Sequence, residues 1–168
     1  MCPTGRKHGG AVDEITNVRA VLLTPTDGIL VIRRIRPGVP PYRVLPGGSV
    51  EPEDADPLAA LEREVFEETG GRARVIGPLP VTDLERPSQR FYLARIDSWY
   101  QPGCGEPDRR TGPEFDDPAR GEYRLEELRS TFETLDAIPL HPEPVAALLR
   151  AAVRGGRWDA DALLATSA

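Results

Sequence analysis

Two neighbouring stretches decide how this chain reads: Pro46-Gly47-Gly48-Ser49-Val50-Glu51-Pro52-Glu53-Asp54, and, after a short spacer, Arg63-Glu64-Val65-Phe66-Glu67-Glu68-Thr69-Gly70-Gly71. Between them Leu58, Leu61 and Val65 recur at i, i+3 and i+7, which predicts a helix from Pro57 to Thr69 with one apolar stripe. Asp56 is a suitable N-cap with Pro57 at the first helical position, and Gly70-Gly71 supplies the stop. On that helix Glu64, Glu67 and Glu68 stand i, i+3 and i+4, so three carboxylates crowd into about one 5.4 Å turn. Like charges at this spacing repel, and near a helix C-terminus the macrodipole disfavours anions as well. Such a cluster is either a solvated acidic face or a place where cations bind. Hard oxygen donors of this kind suit Mg²⁺ or Mn²⁺, and a Gly-Gly turn lets a backbone carbonyl approach a metal unobstructed. The apolar stripe and the acids are expected on largely different helix faces.

Upstream, Val18–Leu23 and Ile29–Ile35 are β-rich runs around the turn signal Pro25-Thr26-Asp27-Gly28, and read as paired strands. Pro37, Pro40 and Pro41 make a stiff loop before a strand at Tyr42–Leu45. Downstream, Arg72–Ile76, Val81–Leu84, Arg90–Ile96 and Glu122–Leu128 read as strands, and Pro142–Arg154 as a helix. A short helix is expected around Asp159–Leu164. Residues 98–121, rich in proline and glycine, form a long irregular segment, either functional or disordered. Strands interrupted by helices suggest an α/β (α+β) sandwich, a mixed sheet flanked by helices. The expected division is a flexible arm at 1–16, a domain at 17–154 and a tail at 155–168.

Composition sets limits on function. The 168 residues carry 21 basic and 27 acidic side chains, a net charge of −6 that argues against a bulk nucleic-acid or membrane-surface binder. Every basic residue but Lys7 is arginine, which suits bidentate phosphate recognition and equally fits a GC-rich coding bias. Cys2 and Cys104 have no metal or disulfide spacing, no signal peptide is evident, and no run reaches membrane-spanning length. A cytoplasmic protein is expected. The acidity is local: residues 51–68 hold eight acids and the single base Arg63.

The two stretches resemble the signature of the Nudix hydrolases, G-x5-E-x7-R-E-U-x-E-E-x-G-U, where U is bulky and apolar. Here it reads Gly48-x5-Asp54-x8-Arg63-Glu64-Val65-Phe66-Glu67-Glu68-Thr69-Gly70-Gly71. The resemblance takes in Leu45-Pro46, both upstream strands and the strand at Phe91–Ile96, roughly residues 17–150. Three departures stand out. Asp54 replaces the glutamate of the pattern, with Glu53 as an alternative beside it. One extra residue lengthens the loop to the helix. Gly71 replaces the last apolar residue, which is expected to weaken packing after the helix.

The resemblance implies a Nudix-type α/β/α sandwich and a pyrophosphohydrolase that uses Mg²⁺ or Mn²⁺. Its substrate would be a small phosphate compound, a nucleoside diphosphate derivative of NTP, ADP-ribose, dinucleotide or sugar-nucleotide type. By the same resemblance Glu64, Glu67, Glu68 and the Gly48 carbonyl would hold the metal, with Glu67 as a direct ligand or as the holder of a metal-bound water. Arg63 would orient a glutamate with its guanidinium fork. The general base is either Glu114, on the late loop, or Glu64. Arg19, Arg34 and Arg43 are the candidate substrate-binding residues, and a homodimer is a further partner the resemblance allows. Because an aromatic residue is usual where Arg43 stands, base stacking there is not expected. Two other functions fit the chain: a Nudix-fold nucleotide-binding regulatory module without turnover, and a pathway enzyme acting on a non-nucleotide diphosphate.

Overall fold

A computed structural model describes residues 14–165, apart from residues 84, 106, 113, 114 and 116. Eight strands and four helices follow in chain order: β1 (Asn17–Leu23), β2 (Ile29–Arg36), β3 (Val39–Val44), β4 (Gly47–Ser49), α1 (Pro57–Thr69), β5 (Ala73–Pro78), β6 (Gln89–Ile96), β7 (Glu122–Leu128), α2 (Phe132–Ala137), β8 (Leu140–His141), α3 (Glu143–Arg154) and α4 (Ala160–Ala165). The sheet is mixed. β1 runs parallel to β6 along its length, and meets β2 only at Leu22↔Leu30 and Leu23↔Ile29. Beyond that contact the two strands part: β4 pairs with the start of β1, and β3 with the far end of β2. A gap therefore opens in the middle of the sheet, with Gly47 and Gly48 on one lip.

Alternation along β1 divides the core. Val18, Ala20 and Leu22 face α1 and pack with Leu30, Ala60, Leu61 and Val65. Val21 and Leu23 face the other way, towards Leu135, Val145, Leu149 and Leu163 of α2, α3 and α4. Each fully buried Leu or Val contributes about 1.5–3 kcal/mol, so the two helix layers are held by the same few strands. This is the expected sandwich. Leu163 is fully buried and Trp158 packs against the same cluster, so the tail from 155 is continuous with the core. Of the expected N-terminal arm, residues 1–13 lie outside the described residues. Thr16 is tied down by Thr16 N–H to Ser88 O at 3.0 Å and Val50 N–H to Thr16 O at 2.9 Å.

α1 has the bounds and caps that its sequence predicts. The Asp56 side chain accepts from the Leu58 and Ala59 amides, both at 2.9 Å, and Gly70 closes the helix at φ 70°. Its buried stripe differs from the expected one. Leu58 is exposed, while Ala60, Leu61, Val65, Glu68 and Thr69 are buried. Glu68 stands i+7 from Leu61, so one of the three acids lies on the apolar stripe and not on a separate face.

Other differences have local causes. Val39–Pro41 belong to β3: the prolines sit opposite a register shift between Arg34 and Arg36, where no ladder amide is demanded of them. Val81–Asp83 form no strand, because the Asp83 side chain accepts the Glu85 amide at 3.0 Å and turns the backbone. In the long segment after β6, Tyr100 N–H donates to Thr69 O at 2.8 Å and Thr111 N–H to Glu67 O at 3.1 Å. These bonds satisfy carbonyls that the end of α1 leaves open. Trp99 packs on the α1-side core, and Tyr100 and Phe115 flank the Arg110 guanidinium at 4.6 and 4.5 Å.

Gly71 does not weaken packing; it permits it. A Cβ there would overlap Ser98 O and lie 2.9 Å from Ile96 Cδ1, so an apolar residue is excluded where the chain passes under the end of β6. Gly71→Val is expected to destabilise the fold by about 2–3 kcal/mol, the range for overpacking a closed site. Urea unfolding of the two proteins measures it, and equal midpoints would remove the close-approach explanation.

Candidate active site

The acids of α1 meet the glycines of β4 at the gap in the sheet. Glu68, only 9% exposed, accepts the Gly47 amide through Oε2 at 2.7 Å. Gly48 lies against Glu64 so closely that a Cβ would overlap the Glu64 carboxyl group. Gly47 has φ 134°, and its own Cβ would overlap Val18 O. Gly47 thus requires glycine for backbone conformation and space, while a side chain at Gly48 would displace the Glu64 carboxyl group.

Arg63 organises the cluster. Its Nε and one terminal nitrogen grip Asp54 in a fork at 3.0 and 2.9 Å, and that same nitrogen donates to Ser49 O at 2.9 Å. The other terminal nitrogen reaches Glu64 at 3.0 Å and Glu67 at 3.3 Å. The fork therefore holds Asp54, while the glutamates share the remaining nitrogen. Asp54 also accepts the Glu51 amide at 2.8 Å, whereas Glu53 is exposed and takes no part. Hydrogen bonding from Arg63 holds the Asp54 carboxyl below the usual aspartate range, and the bond from Asp54 raises the Arg63 guanidinium further above its already high value.

On β1, paired with Gly47, Arg19 donates from Nη1 to Leu45 O at 2.7 Å and Gly47 O at 3.2 Å, and from Nε to Gln89 Oε1 at 3.1 Å. Burial lowers its pKa, with Glu68 and Glu64 opposing the shift. Arg19 faces a cleft of about 1120 Å³ whose walls also carry Arg34, Arg86, Tyr42, His141 and Gln89. Arg34 lies over the Tyr123 ring at 3.5 Å and donates to Arg120 O at 3.0 Å. Tyr42 and His141 meet edge to face, 5.8 Å between centroids.

Of the residues expected at the site, Glu64, Glu67, Glu68, Arg63 and Gly48 gather at the α1–β4 contact, and Arg19 and Arg34 line the cleft. Arg43 does not join them. Strand alternation turns it to the opposite face from Tyr42 and Val44, where it forms a fork with Glu126 at 2.8 and 3.0 Å. The aromatic side chain at the cleft is its neighbour Tyr42, which strand periodicity identifies once one face of β3 is known. Glu114 lies outside the described residues. Asp83, Arg86 and Gln89 carry no motif, and only the parallel pairing of β1 with β6 brings them here.

The donor set fits a hard divalent cation: carboxylate oxygens of Glu64, Glu67 and Glu68, with backbone run close alongside by glycine. As the side chains stand, no three Asp, Glu, His or Cys groups among the described residues converge on one point, since Arg63 draws Glu64 and Glu67 to itself.

A model of the NUDIX domain matches residues 14–149, most of the chain and all of this site. The protein belongs to the Nudix family. Solved structures agree on the fold. A NUDIX hydrolase from Nitrosomonas europaea has a TM-score of 0.56 at 19% identity, covering 86% of this chain and 90% of that one. A NUDIX-family hydrolase from Clostridium perfringens gives 0.54 at 16%, covering 85% and 98%. The ORF135 protein of E. coli gives 0.53 at 23%, covering 88% and 96%. No curated protein matches the chain. Within the Nudix motif this chain's Asp54, set in a loop one residue longer, still reaches Arg63; the shorter acid and the longer loop offset one another.

The Asp54 shift fixes a pH dependence. Its folded pKa lies below the unfolded value of about 3.9, so the pair's contribution is present above that value and is lost as pH falls through the folded pKa. Asp54→Asn is therefore expected to melt below the parent at pH 7, with the gap narrowing as pH is lowered below about 4. Thermal melts across pH 2.5–7 check this, and a gap independent of pH would show that Asp54 acts by shape alone.

Proposed function

We propose that this protein is a divalent-metal-dependent pyrophosphohydrolase of the cytoplasm, cleaving a diphosphate linkage in a small nucleoside diphosphate derivative. The observation that carries this reading is the Gly47 peptide, whose N–H holds Glu68 and whose carbonyl accepts from Arg19. A group able to bind cations and a group able to bind phosphate thereby share one fixed backbone unit.

Glu64, Glu67, Glu68 and the Gly48 carbonyl would hold Mg²⁺ or Mn²⁺, which when bound neutralises diphosphate charge and lowers the pKa of a coordinated water. The protein's own residues do the rest. Arg19 and Arg34 bind phosphate oxygens from the cleft, and Arg86 adds positive charge on the same wall. Tyr42 and His141 present aromatic surface for the group attached to the diphosphate. Arg63 holds Glu64 and Glu67 beside one another by hydrogen bonds from a single terminal nitrogen, which limits the reordering needed when a cation binds. Proton removal from the attacking water falls to Glu64 or Glu114. Glu64 has the support of its position beside Gly48.

The reaction draws on positioning and charge stabilisation more than on covalent chemistry by the protein. A regulatory module without turnover would gain nothing from a crowded, mutually repelling set of acids, one of them buried.

Glu68→Gln is expected to cut turnover at least a hundredfold, on the scale of losing one electrostatic contact to the reaction centre. Its carbonyl oxygen still accepts the Gly47 amide, so the fold should persist. A panel of nucleoside diphosphate compounds with Mg²⁺, products identified by mass, tests this together with EDTA removal. Turnover indifferent to EDTA, or a Glu68→Gln protein of parental rate, contradicts the reading.

A further inference from the structure

We infer that Gln89 and Asp83 are positioning residues, forming a polarised relay that aims the Arg19 guanidinium into the cleft. The inference rests on the reading of the cleft as a diphosphate site and adds to it a device that the Nudix motif does not contain.

Asp83 is 8% exposed and Gln89 2% exposed, so both polar side chains need internal partners. Gln89 Nε2 donates to Asp83 Oδ2 at 3.2 Å, and Gln89 Oε1 accepts from Arg19 Nε at 3.1 Å. Asp83 is itself fixed, because Oδ1 accepts the Glu85 amide at 3.0 Å. The direction of the chain is forced by chemistry. An ionised carboxylate only accepts, so the Gln89 NH₂ must turn towards Asp83 and its oxygen must face Arg19. With Nε held by Gln89, and Nη1 held by the Leu45 and Gly47 carbonyls, two of the three guanidinium nitrogens are locked in plane. Nη2 is left without a protein partner among the described residues, on a side chain that lines the cleft.

A planar donor fixed at two corners presents its third at a set angle, which suits a phosphate oxygen and spares the ordering cost at binding. The sequence keeps these residues far apart: Asp83 and Gln89 bracket a turn before β6, and Arg19 is on β1. Their meeting depends on the parallel register Asn17↔Gln89 and Arg19↔Phe91.

The polarity of the relay makes it testable by exchanging its parts. Gln89→Leu removes both bonds. Asp83→Asn lets the Gln89 amide turn over and set NH₂ against Arg19 Nε, donor against donor. Gln89→Glu places two carboxylates side by side. The double variant Asp83→Asn with Gln89→Glu restores donor and acceptor at every link, with the negative charge moved one residue nearer to Arg19. The substrate-independent readout is the Arg19 Nε–H resonance, followed by NMR for its exchange with water. It is expected to be protected in the parent and the double variant and rapidly exchanging in Gln89→Leu and Asp83→Asn, the two single variants that leave Arg19 Nε without an acceptor.

The second readout is binding of imidodiphosphate, a non-hydrolysable diphosphate, in the presence of Mg²⁺. Its Kd is expected to rise about tenfold in Gln89→Leu, as for loss of one charge-assisted contact, and to return towards the parental value in the double variant. A protected Arg19 Nε–H in Gln89→Leu, or a double variant no better protected than Asp83→Asn, would overturn the relay. If the resonance follows the expected pattern but imidodiphosphate fails to bind even the parent, the relay stands and the diphosphate reading of the cleft falls.

Discussion

Five hydrogen bonds radiate from the guanidinium of Arg63, and most of the site depends on them. They join β4, through Ser49, and the loop after it, through Asp54, to two of the three glutamates of α1. A helix carrying Glu64, Glu67 and Glu68 near its C-terminus is poor on its own terms, since repulsion and dipole act together against it. One half-buried cation with five fixed donors relieves part of that strain and sets the separation of the carboxylates at the same time. Lysine could not do this, having a single point charge and no plane. The acidic segment is thus tolerable in the folded chain before any metal is considered.

Much of this was legible in the sequence where the causes are local. The bounds of α1 follow from Asp56, Pro57 and Gly70, each acting on adjacent backbone, and the hairpin-like pairing of β1 and β2 from the turn at Pro25–Gly28. The Arg-Glu-x-x-Glu-Glu pattern brings Arg63, Glu64, Glu67 and Glu68 together for the same reason: spacing along one helix is a local property. What could not be read depended on distant pairing. Glu68 was placed on the wrong side of the helix because its burial is dictated by Gly47, 21 positions earlier. Arg43 is turned away from the cleft and Tyr42 towards it, and a motif position says nothing about which way a strand faces. Asp83 and Gln89 have no signature at all; the register of β1 on β6 creates their role.

Gly71 shows the same limit in another form. Measured against the family pattern it is a loss, since a bulky residue is missing. In the fold it is the consequence of backbone passing against backbone at Ser98. Departures from a motif therefore carry information about the surrounding chain as much as about the site, and the Asp54 loop is a second example. There a shorter acid and an added residue change together and leave the ion pair intact.

Among the described residues, two backbone amides of the segment after β6, those of Tyr100 and Thr111, close the end of α1 at Thr69 O and Glu67 O. Between these anchor points the chain runs out to an exposed tip at residues 101–105, where Gly103 and Gly105 have open space around them. The tip can accordingly be lengthened, labelled or joined to another domain without disturbing the anchors. Cys104 already stands there as an exposed free thiol, a ready attachment point for a reporter.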